Sequence, residues 1–222
     1  MATIVPSGLA FTARVTPSNV AWNSVAYSDT LNLWVAVSYG GLTSPVLTSP
    51  TGATWTQRAA GLATHSWNKV IWVPELAMFV AVSNPSGETT NVMTSTDGTT
   101  WVARTADDTG WGSVAWNGTT LVAVSGAGGT ANVMTSTNGT SWATQVSSGI
   151  ASGLDDIAWS STLGLFVGCN VAGGIYSSAN GIAWTLRETP AATSCKGQVV
   201  WAAALAKFFV LAGTSTGADG GA

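Results

Sequence analysis

The side chains of this sequence that could carry acid–base chemistry are two pairs of carboxylates and one histidine. The pairs are Asp107–Asp108 and Asp155–Asp156, and the histidine is His65. Paired carboxylates can hydrolyse glycosides, with one acting as acid and the other as base or nucleophile. Each pair precedes an apolar segment, so we expect both in loops, where such residues commonly shape turns or face solvent. His65 has no partner of the metal-binding or serine-elbow kind, and we interpret it as a loop residue.

Arginines recur at one position of an internal pattern, three residues after an aromatic residue that opens a short strand. Equivalent positions in a radial array point apart, so these arginines are not expected to converge on one anionic ligand. We expect them to make repeated hydrogen bonds instead, and we predict no catalytic residue. The four are Arg14, Arg58, Arg104 and Arg187.

Composition argues against several functional classes. Of the 222 residues, 46% are apolar and only 8% are charged, and 12 are tryptophan. An ordinary domain has about 25% charged residues, and low charge with many Trp and Thr favours a β-rich protein. The net charge of −3 provides no basic surface, so no nucleic acid is expected as a partner. No calcium loop or phosphate-binding loop is recognisable, and we predict no metal and no cofactor.

Targeting signals and cysteines add two further expectations. Met1–Val15 does not resemble a signal peptide, and the most apolar window, Val70–Val82, is too short to span a bilayer. We therefore expect synthesis in the cytoplasm and no membrane insertion. Cys169 and Cys195 do not form a disulfide scaffold. We interpret them as buried free thiols, because cysteine behaves as a small apolar residue, and leave their pairing open.

The elements that would position these side chains belong to an internal repeat. Its clearest copy, Asn91–Trp101, contains a short apolar strand, a turn and a tryptophan that opens another strand. Asp-Gly and Asn-Gly favour hairpin turns because glycine accepts the positive φ that such turns require. Looser copies end at Trp55 and Phe11. The residues that we expect to shape the three clearest turns are Ser95, Asp97, Gly98 and Trp101; Asn138, Gly139 and Trp142; and Asn180, Gly181 and Trp184.

Two sets of aromatic residues measure the same repeat period. The aromatics after the turns are separated by 44, 46, 41 and 42 residues, and those that close the first strand of each unit by 45, 44, 43 and 42. Five units therefore fill the chain. Each unit contains four short strand candidates, and the first two are apolar on both faces. Such a sheet must pack between two neighbours, as it does in a ring of blades.

The sequence therefore predicts an all-β, five-bladed β-propeller of four-stranded antiparallel blades, with a single domain over residues 1–222. We expect the blades at about 20–65, 66–109, 110–151 and 152–194, with the fifth formed by about 195–222 together with 1–19. Phe11–Arg14 matches Trp101–Arg104, whereas the chain after Gly213 lacks a fourth strand. The last blade is therefore predicted to be closed by the N-terminal strands.

The turn Ser95-x-Asp97-Gly98-x-x-Trp101 resembles the Asp-box of sialidase-like (BNR) propellers, with one residue fewer between Asp and Gly. The phrase Thr94–Trp101, after an apolar strand such as Phe79–Val82, also resembles repeats of bacteriophage virion proteins. The resemblance covers the whole chain and implies the propeller fold. Sialidases use an arginine triad, a Tyr–Glu pair and an Asp acid on six blades, and the dispersed arginines of this chain do not match that arrangement.

Loops at one end of the predicted ring hold candidate binding residues. An exposed aromatic ring can stack on a sugar while Asp and Asn bind its hydroxyl groups. Trp67 and Trp111 stand at equivalent strand starts, so repeated packing is the alternative interpretation of both. The candidates are Tyr39, His65, Trp67, Asn84, Asp107, Asp108, Trp111, Asp155, Asp156 and Asn170.

Together these features lead us to expect a non-enzymatic virion protein of a bacteriophage. It would be a capsid or tail decoration, a fibre or a receptor-binding component, located in the virion after synthesis in the host cytoplasm. Its expected partners are other virion proteins and host surface glycans, and virion symmetry would set its oligomeric state. One alternative is a stand-alone carbohydrate-binding lectin. A weaker one is a sialidase-like glycoside hydrolase that depends on Asp156 or Asp108.

Overall fold

The computed structural model describes residues 13–18, 20–40, 45–60, 65–84, 89–126, 132–150, 152–189 and 193–214, apart from the side chains of 193–197 and 212–214. These residues form four four-stranded antiparallel sheets and one two-stranded antiparallel sheet. The described part of the chain contains no α-helix, and none of its helical segments could cross a membrane. The predicted all-β architecture of four-stranded antiparallel sheets is confirmed.

The strands follow one another along the chain and pair in the same order within each sheet. Sheet 1 contains β1 (Ala21–Ser28), β2 (Leu33–Tyr39), β3 (Val46–Ser49) and β4 (Thr56–Arg58). Sheet 2 contains β5 (Trp67–Val73), β6 (Met78–Ser83), β7 (Val92–Ser95) and β8 (Val102–Arg104). Sheet 3 contains β9 (Ser113–Trp116), β10 (Leu121–Val124), β11 (Val133–Ser136) and β12 (Ala143–Gln145). Sheet 4 contains β13 (Asp156–Ser160), β14 (Leu165–Cys169), β15 (Ile175–Ser178) and β16 (Thr185–Glu188), and sheet 5 contains β17 (Thr193–Ala202) and β18 (Lys207–Thr214). Short 3-10 turns, Pro74–Leu76 and Ala203–Leu205, join β5 to β6 and β17 to β18.

Each sheet packs face to face against the next sheet in the chain. Val35 and Val37 of sheet 1 belong to one apolar cluster with Ala81 of sheet 2. Equivalent clusters join sheets 2 and 3, sheets 3 and 4, and sheets 4 and 5. Burying one valine side chain stabilises a fold by about 1.5–3 kcal/mol. In sheets 2, 3 and 4, the strands that are apolar on both faces are therefore buried because a neighbouring sheet covers each face.

The repeated turns are closed by the residues that the sequence pattern selects. Asp97 Oδ1 accepts hydrogen bonds from the backbone N–H groups of Thr99 and Thr100, each at 2.7 Å. Partial burial acts to raise the pKa of Asp97, but these bonds and one from the Ser95 hydroxyl outweigh it and hold that pKa well below its usual range. Asn138 and Asn180 accept the equivalent N–H pairs at 2.9 Å. The turn therefore needs a short side chain with an acceptor oxygen, which either residue type supplies.

The repeated arginine position forms a hydrogen bond within its own sheet. Arg58 Nε donates to Thr48 Oγ1 at 3.0 Å, and Arg104 Nε donates to Thr94 Oγ1 at 2.9 Å. Arg187 makes the same contact with Ser177 Oγ at 2.6 Å. These bonds join the fourth strand of each sheet to the third strand. The expectation of repeated hydrogen bonds is met at these three arginines.

Two sequence-based expectations concern the end of the chain and the cysteines. Closure of the last blade by N-terminal strands falls largely on residues 1–12, which lie outside the described residues, and Ala13–Thr16 lie outside any strand. Closure and the number of blades therefore stay predictions.

Cys169 on β14 is fully buried and disulfide-bonded, so its assignment as a free thiol is wrong. The side chain of Cys195, the other cysteine in the sequence, lies outside the described part.

Candidate functional site: the axial cavity

The first strands of sheets 1, 2, 4 and 5, together with residues just before the first strand of sheet 3, surround one cavity, which we call the axial cavity. Its volume is about 830 Å³. Most of the polar side chains that line it come from the start of these strands, and the apolar part of the wall includes Val25 of β1 and Val200 of β17. Ligand pockets commonly enclose about 300–1,000 Å³. The polar side chains of this wall are Asn23, Ser24, Asn68, Lys69, Asn84, Ser125, Asp155, Asp156 and Gln198.

Two asparagines reach the cavity because a β-bulge displaces each of them from its strand. The pairing of β1 with β2 shifts register between Trp22 and Ser24, and the pairing of β5 with β6 shifts between Trp67 and Lys69. The residues inside these shifts are Asn23 and Asn68. A bulge bends its strand and re-aims a side chain. Asn23 Nδ2 lies 3.4 Å from Asn68 Oδ1, so the two amides form one continuous part of the cavity wall.

Asp156 joins four sheets at the wall of the cavity. Its Oδ1 accepts a hydrogen bond from Ser113 Oγ of sheet 3 and lies 3.3 Å from Lys69 Nζ of sheet 2. Its Oδ2 accepts the backbone N–H of Val199 in sheet 5 at 2.7 Å. The carboxylate is buried and both of its oxygens are engaged. Lys69 is partly exposed, but the buried carboxylate bonds groups of three other sheets, so Asp156 holds the sheets together around the cavity.

Asp155, the neighbour of Asp156, presents a carboxylate to the same cavity. Its Oδ2 accepts the Val171 N–H at 2.7 Å. Burial and then the charge of Asp156 raise the pKa of Asp155, and the bond from Val171 only partly opposes them. The two adjacent carboxylates thus bond different backbone N–H groups, Val171 for Asp155 and Val199 for Asp156. Of the two carboxylates, Asp155 is the partly exposed one, whereas both oxygens of Asp156 are bonded within the protein.

Glycines beside the cavity leave the space that its polar side chains occupy. A Cβ at Gly126 would lie 2.4 Å from Asp155 Oδ1, and a Cβ at Gly110 would lie 1.6 Å from Asn84 Oδ1. Contacts this short do not occur, so any larger residue at either position would displace the polar group beside it. The glycines therefore determine how far Asn84 and Asp155 can retreat from the centre of the cavity.

The structure brings three of the ten candidate binding residues to the cavity: Asn84, Asp155 and Asp156. His65, Trp67, Trp111 and Asn170 are buried, with exposed fractions of 2%, 0%, 0% and 1%. Neither tryptophan ring is therefore available to stack on a ligand, and packing accounts for both. Tyr39 is exposed, but it does not line the cavity.

The other carboxylate pair lies away from the cavity. Asp107 Oδ2 accepts a hydrogen bond from Thr144 Oγ1 at 2.8 Å, and this bond, followed by one involving Asp108, lowers the pKa of Asp107. Asp108 is exposed, and neither residue lines the cavity. The two pairs that look alike in the sequence thus have different environments.

Sequence reasoning missed Asn23, Asn68 and Lys69. The signal that could have found them is their place in the repeat, one or two residues before the first-strand valines Val25 and Val70. The first strands meet around the axis, so polar residues at this position converge.

Within the described residues, no group of three or more His, Cys, Asp or Glu side chains is placed to hold a metal ion.

Comparison with solved structures identifies the fold to which these sheets belong. No family model and no curated protein matches the sequence. A solved streptogramin B lyase is similar over 84% of this chain and 60% of its own, with a TM-score of 0.65 and 10% identity. A gluconolactonase from Xanthomonas campestris is similar over 86% and 69%, with a TM-score of 0.62 and 14% identity. YCF48 from Cyanidioschyzon merolae is similar over 81% and 60%, with a TM-score of 0.56 and 15% identity.

This chain is a β-propeller. At sequence identities this low, the similarity to these structures shows the fold alone. The chain spans 60% of the length of the YCF48 and lyase structures.

The expectation that the propeller is not an enzyme needs correction. It rested on the absence of a convergent catalytic group in the sequence, but the similar propellers include a lyase and a gluconolactonase. One architecture hosts both catalytic and binding proteins. The expected lack of enzymatic activity is therefore withdrawn, and these distant similarities do not assign an activity to the propeller.

Proposed function

We propose that the propeller binds a small, neutral, hydroxyl-rich ligand of the saccharide class in the axial cavity. The observation that carries the proposal is the convergence of Asn23, Asn68, Asn84 and Asp155 on one cavity of about 830 Å³. Amides donate and accept hydrogen bonds and a carboxylate accepts them. Hydroxyl groups do both, so a ligand rich in hydroxyls suits this wall.

The charge of the wall favours a neutral ligand over an anionic one. Lys69 is the one cation of the described lining, and Asp156 already pairs with it at 3.3 Å. The carboxylate of Asp155 would repel an anion placed beside it. No aromatic ring belongs to the described lining, so hydrogen bonds would hold the ligand in place of stacking. The lectin alternative thereby becomes a proposal with a single axial site.

Titration calorimetry or saturation-transfer NMR with a panel of neutral mono- and disaccharides tests the proposal. Asn84→Ala removes one exposed amide of the wall, and Asp108→Ala is the control, an exposed polar residue outside the cavity. Loss of one neutral hydrogen bond weakens binding by about 3–10-fold, and we expect this only for Asn84→Ala. The proposal fails if no sugar binds or if both variants weaken binding equally. Product analysis of the same samples reports whether the bound sugar is converted.

The placement of the propeller in a bacteriophage particle stays a prediction, which the repeat sequences alone support. Mass spectrometry of purified phage particles tests the virion placement. Finding the protein only in the soluble host fraction would overturn it.

We likewise propose that the Ser-x-Asp-Gly turns are shortened Asp-boxes that shape hairpins, since Asp97 and its asparagine equivalents bond the equivalent backbone N–H groups.

A further inference from the structure

Sheet 5 exposes apolar side chains at positions that the other sheets bury. Phe209 and Leu211 on β18 correspond, by strand register, to Val80 and Val82 on β6. The two valines are 0% exposed, because sheet 3 covers them, whereas Phe209 is 49% and Leu211 is 64% exposed. Val200 on β17 is exposed on the same face. Among the residues that the structure describes, no sheet therefore covers this face of sheet 5.

Sheet 1 shows the complementary gap on its opposite face. Val25 on β1 corresponds to Val70 on β5, and both precede an aromatic residue by two positions. Val70 is 2% exposed, because sheet 1 covers it, whereas Val25 is 55% exposed. Tyr27 is also exposed on this face. We call these two faces together, formed by Val25 and Tyr27 of sheet 1 and Val200, Phe209 and Leu211 of sheet 5, the open seam.

The glycines of the repeated turns give an independent indication of the same gap. A Cβ at Gly98 would lie 2.6 Å from Leu33 of sheet 1, and one at Gly181 would lie 2.5 Å from Val122 of sheet 3, so each turn is pressed against the preceding sheet. A Cβ at Gly52 of sheet 1 would meet only Trp34 of its own sheet, at 3.9 Å. Among the described residues, no preceding sheet lies against this turn.

The repeat itself specifies what could cover the open seam. In every sealed interface, one face of the second strand packs against the face of the next sheet that carries Val70, Val114, Ile157 or Val199 of its first strand. Sheet 5 exposes a face of the first type and sheet 1 a face of the second type. The two faces are therefore complementary, and each is suited to the other.

Within one chain, the exposure of Val25, Phe209 and Leu211 shows that these two faces do not cover each other. Four packed interfaces fix each sheet relative to the next, and the Lys69–Asp156 contact joins sheets 2 and 4 across the cavity. Packed interiors resist gradual deformation, so bringing the faces together within one chain would require repacking of these interfaces. Contact with another molecule requires no such change. Exposed apolar patches of this kind mark interaction surfaces.

We propose that the open seam is an interface between copies of this chain, in which the exposed face of sheet 5 in one copy packs on the exposed face of sheet 1 in another. The contact uses two different surfaces and is therefore heterologous. An open assembly retains one unoccupied face of each type, one at each end, until it closes into a ring. If the assembly did not close, further copies of the chain would continue to add at its ends.

Analytical ultracentrifugation of the purified chain from about 1 µM to about 100 µM tests the interface. Leu211→Asp breaks the sheet 5 face and Val25→Asp breaks the sheet 1 face. Leu163→Asp is the matched control, because Leu163 is 50% exposed and belongs to neither face. We expect the wild type and the control to grow in mass with concentration. Each seam variant alone should stay monomeric, and their mixture should stop at a one-to-one dimer, because it contains one intact face of each type.

Circular dichroism must show that every variant keeps its β structure before its mass is interpreted. A wild-type chain that stays monomeric at all concentrations overturns the proposal. If Cys replacements of Val25 and Val200 then form a disulfide within one chain, the faces meet in that chain instead. A mixture of the two seam variants that gives no dimer also contradicts the heterologous contact.

Discussion

The interface between sheets 3 and 4 and the open seam are built from equivalent positions of one repeat, yet they differ in burial. In the first, Val122 and Val124 are fully buried against sheet 4, and Gly181 lies against Val122. In the second, the equivalent Phe209 and Leu211 are about half exposed or more. The side chains at the seam are larger and at least as apolar. The difference therefore lies in which sheet stands beside each face, and the repeat pattern of a single sheet does not contain that information.

The largest expected difference between the two regions comes from the turn glycines. Both have positive φ, +76° at Gly181 and +72° at Gly52. Gly181→Ala adds both backbone strain and a Cβ 2.5 Å from Val122, and we expect a loss of about 3 kcal/mol. Gly52→Ala adds strain alone and should cost about 1 kcal/mol. Urea unfolding measures both, and equal losses would show that Gly52 also lies against a sheet.

Truncation of equivalent second-strand residues gives the next largest difference. Val124→Ala removes two fully buried methyl groups, and we expect a loss of about 2 kcal/mol. Leu211→Ala changes a side chain that is 64% exposed, and its effect on the monomer should be within about 0.5 kcal/mol. Unfolding should be measured at a concentration at which ultracentrifugation shows the chain to be monomeric. A loss at Leu211 as large as that at Val124 would mean that the seam is closed within the chain.

A smaller contrast concerns acid stability at the turns. The pKa of Asp97 is lowered in the folded state, so its contribution is present above the unfolded pKa of about 3.9 and is lost as the pH falls through that value towards the folded pKa. Asp97→Asn should therefore flatten the loss of stability in acid. At the seam turn, Thr51→Asp should add acid-sensitive stability. Denaturant midpoints measured between neutral and acid pH check both. If Asp97→Asn lost as much stability in acid as the wild type, the lowered pKa of Asp97 would be contradicted.

The smallest effect is expected at the axial cavity, where the shift has the opposite sign. Burial and Asp156 raise the pKa of Asp155, so the folded state binds a proton more tightly than the unfolded state. Ionisation of Asp155 then lowers stability as the pH rises through the folded pKa. Asp155→Asn should raise the free energy of unfolding at neutral pH, and the gain should disappear as the pH falls to the unfolded pKa of about 3.9. A variant less stable than the wild type at neutral pH would show that favourable contacts of the carboxylate, including the bond from Val171, outweigh the cost of its burial.

The repeat was the most predictable feature of the fold. Asp97, Asn138 and Asn180 mark turns by local backbone chemistry, which needs no tertiary information. The buried, two-sided strands were predictable for a related reason, because an apolar face must be covered in any stable arrangement. The disulfide bond of Cys169 was not predictable, since two cysteines distant in sequence do not reveal whether their side chains meet.

The candidate site was predictable only in part. Asp155 and Asp156 were recognised as a pair, but their different roles depend on Lys69, Ser113 and Val199, which come from three other sheets. For Trp67 and Trp111 the sequence left stacking as a candidate role beside repeated packing, and their burial in the structure leaves packing. Asn23 and Asn68 were missed because a β-bulge cannot be recognised from one strand alone.

By itself the sequence determined the period, the strand order within each unit and the chemistry of the turns, because all three arise from interactions among residues close together in the chain. Tertiary structure decided that Asp156 joins four sheets, that glycines make room for Asn84 and Asp155, and that Val25 and Leu211 are exposed. These features depend on the placement of whole sheets around an axis. The curvature of that arrangement is the sum of many side-chain contacts, and no single repeat encodes it.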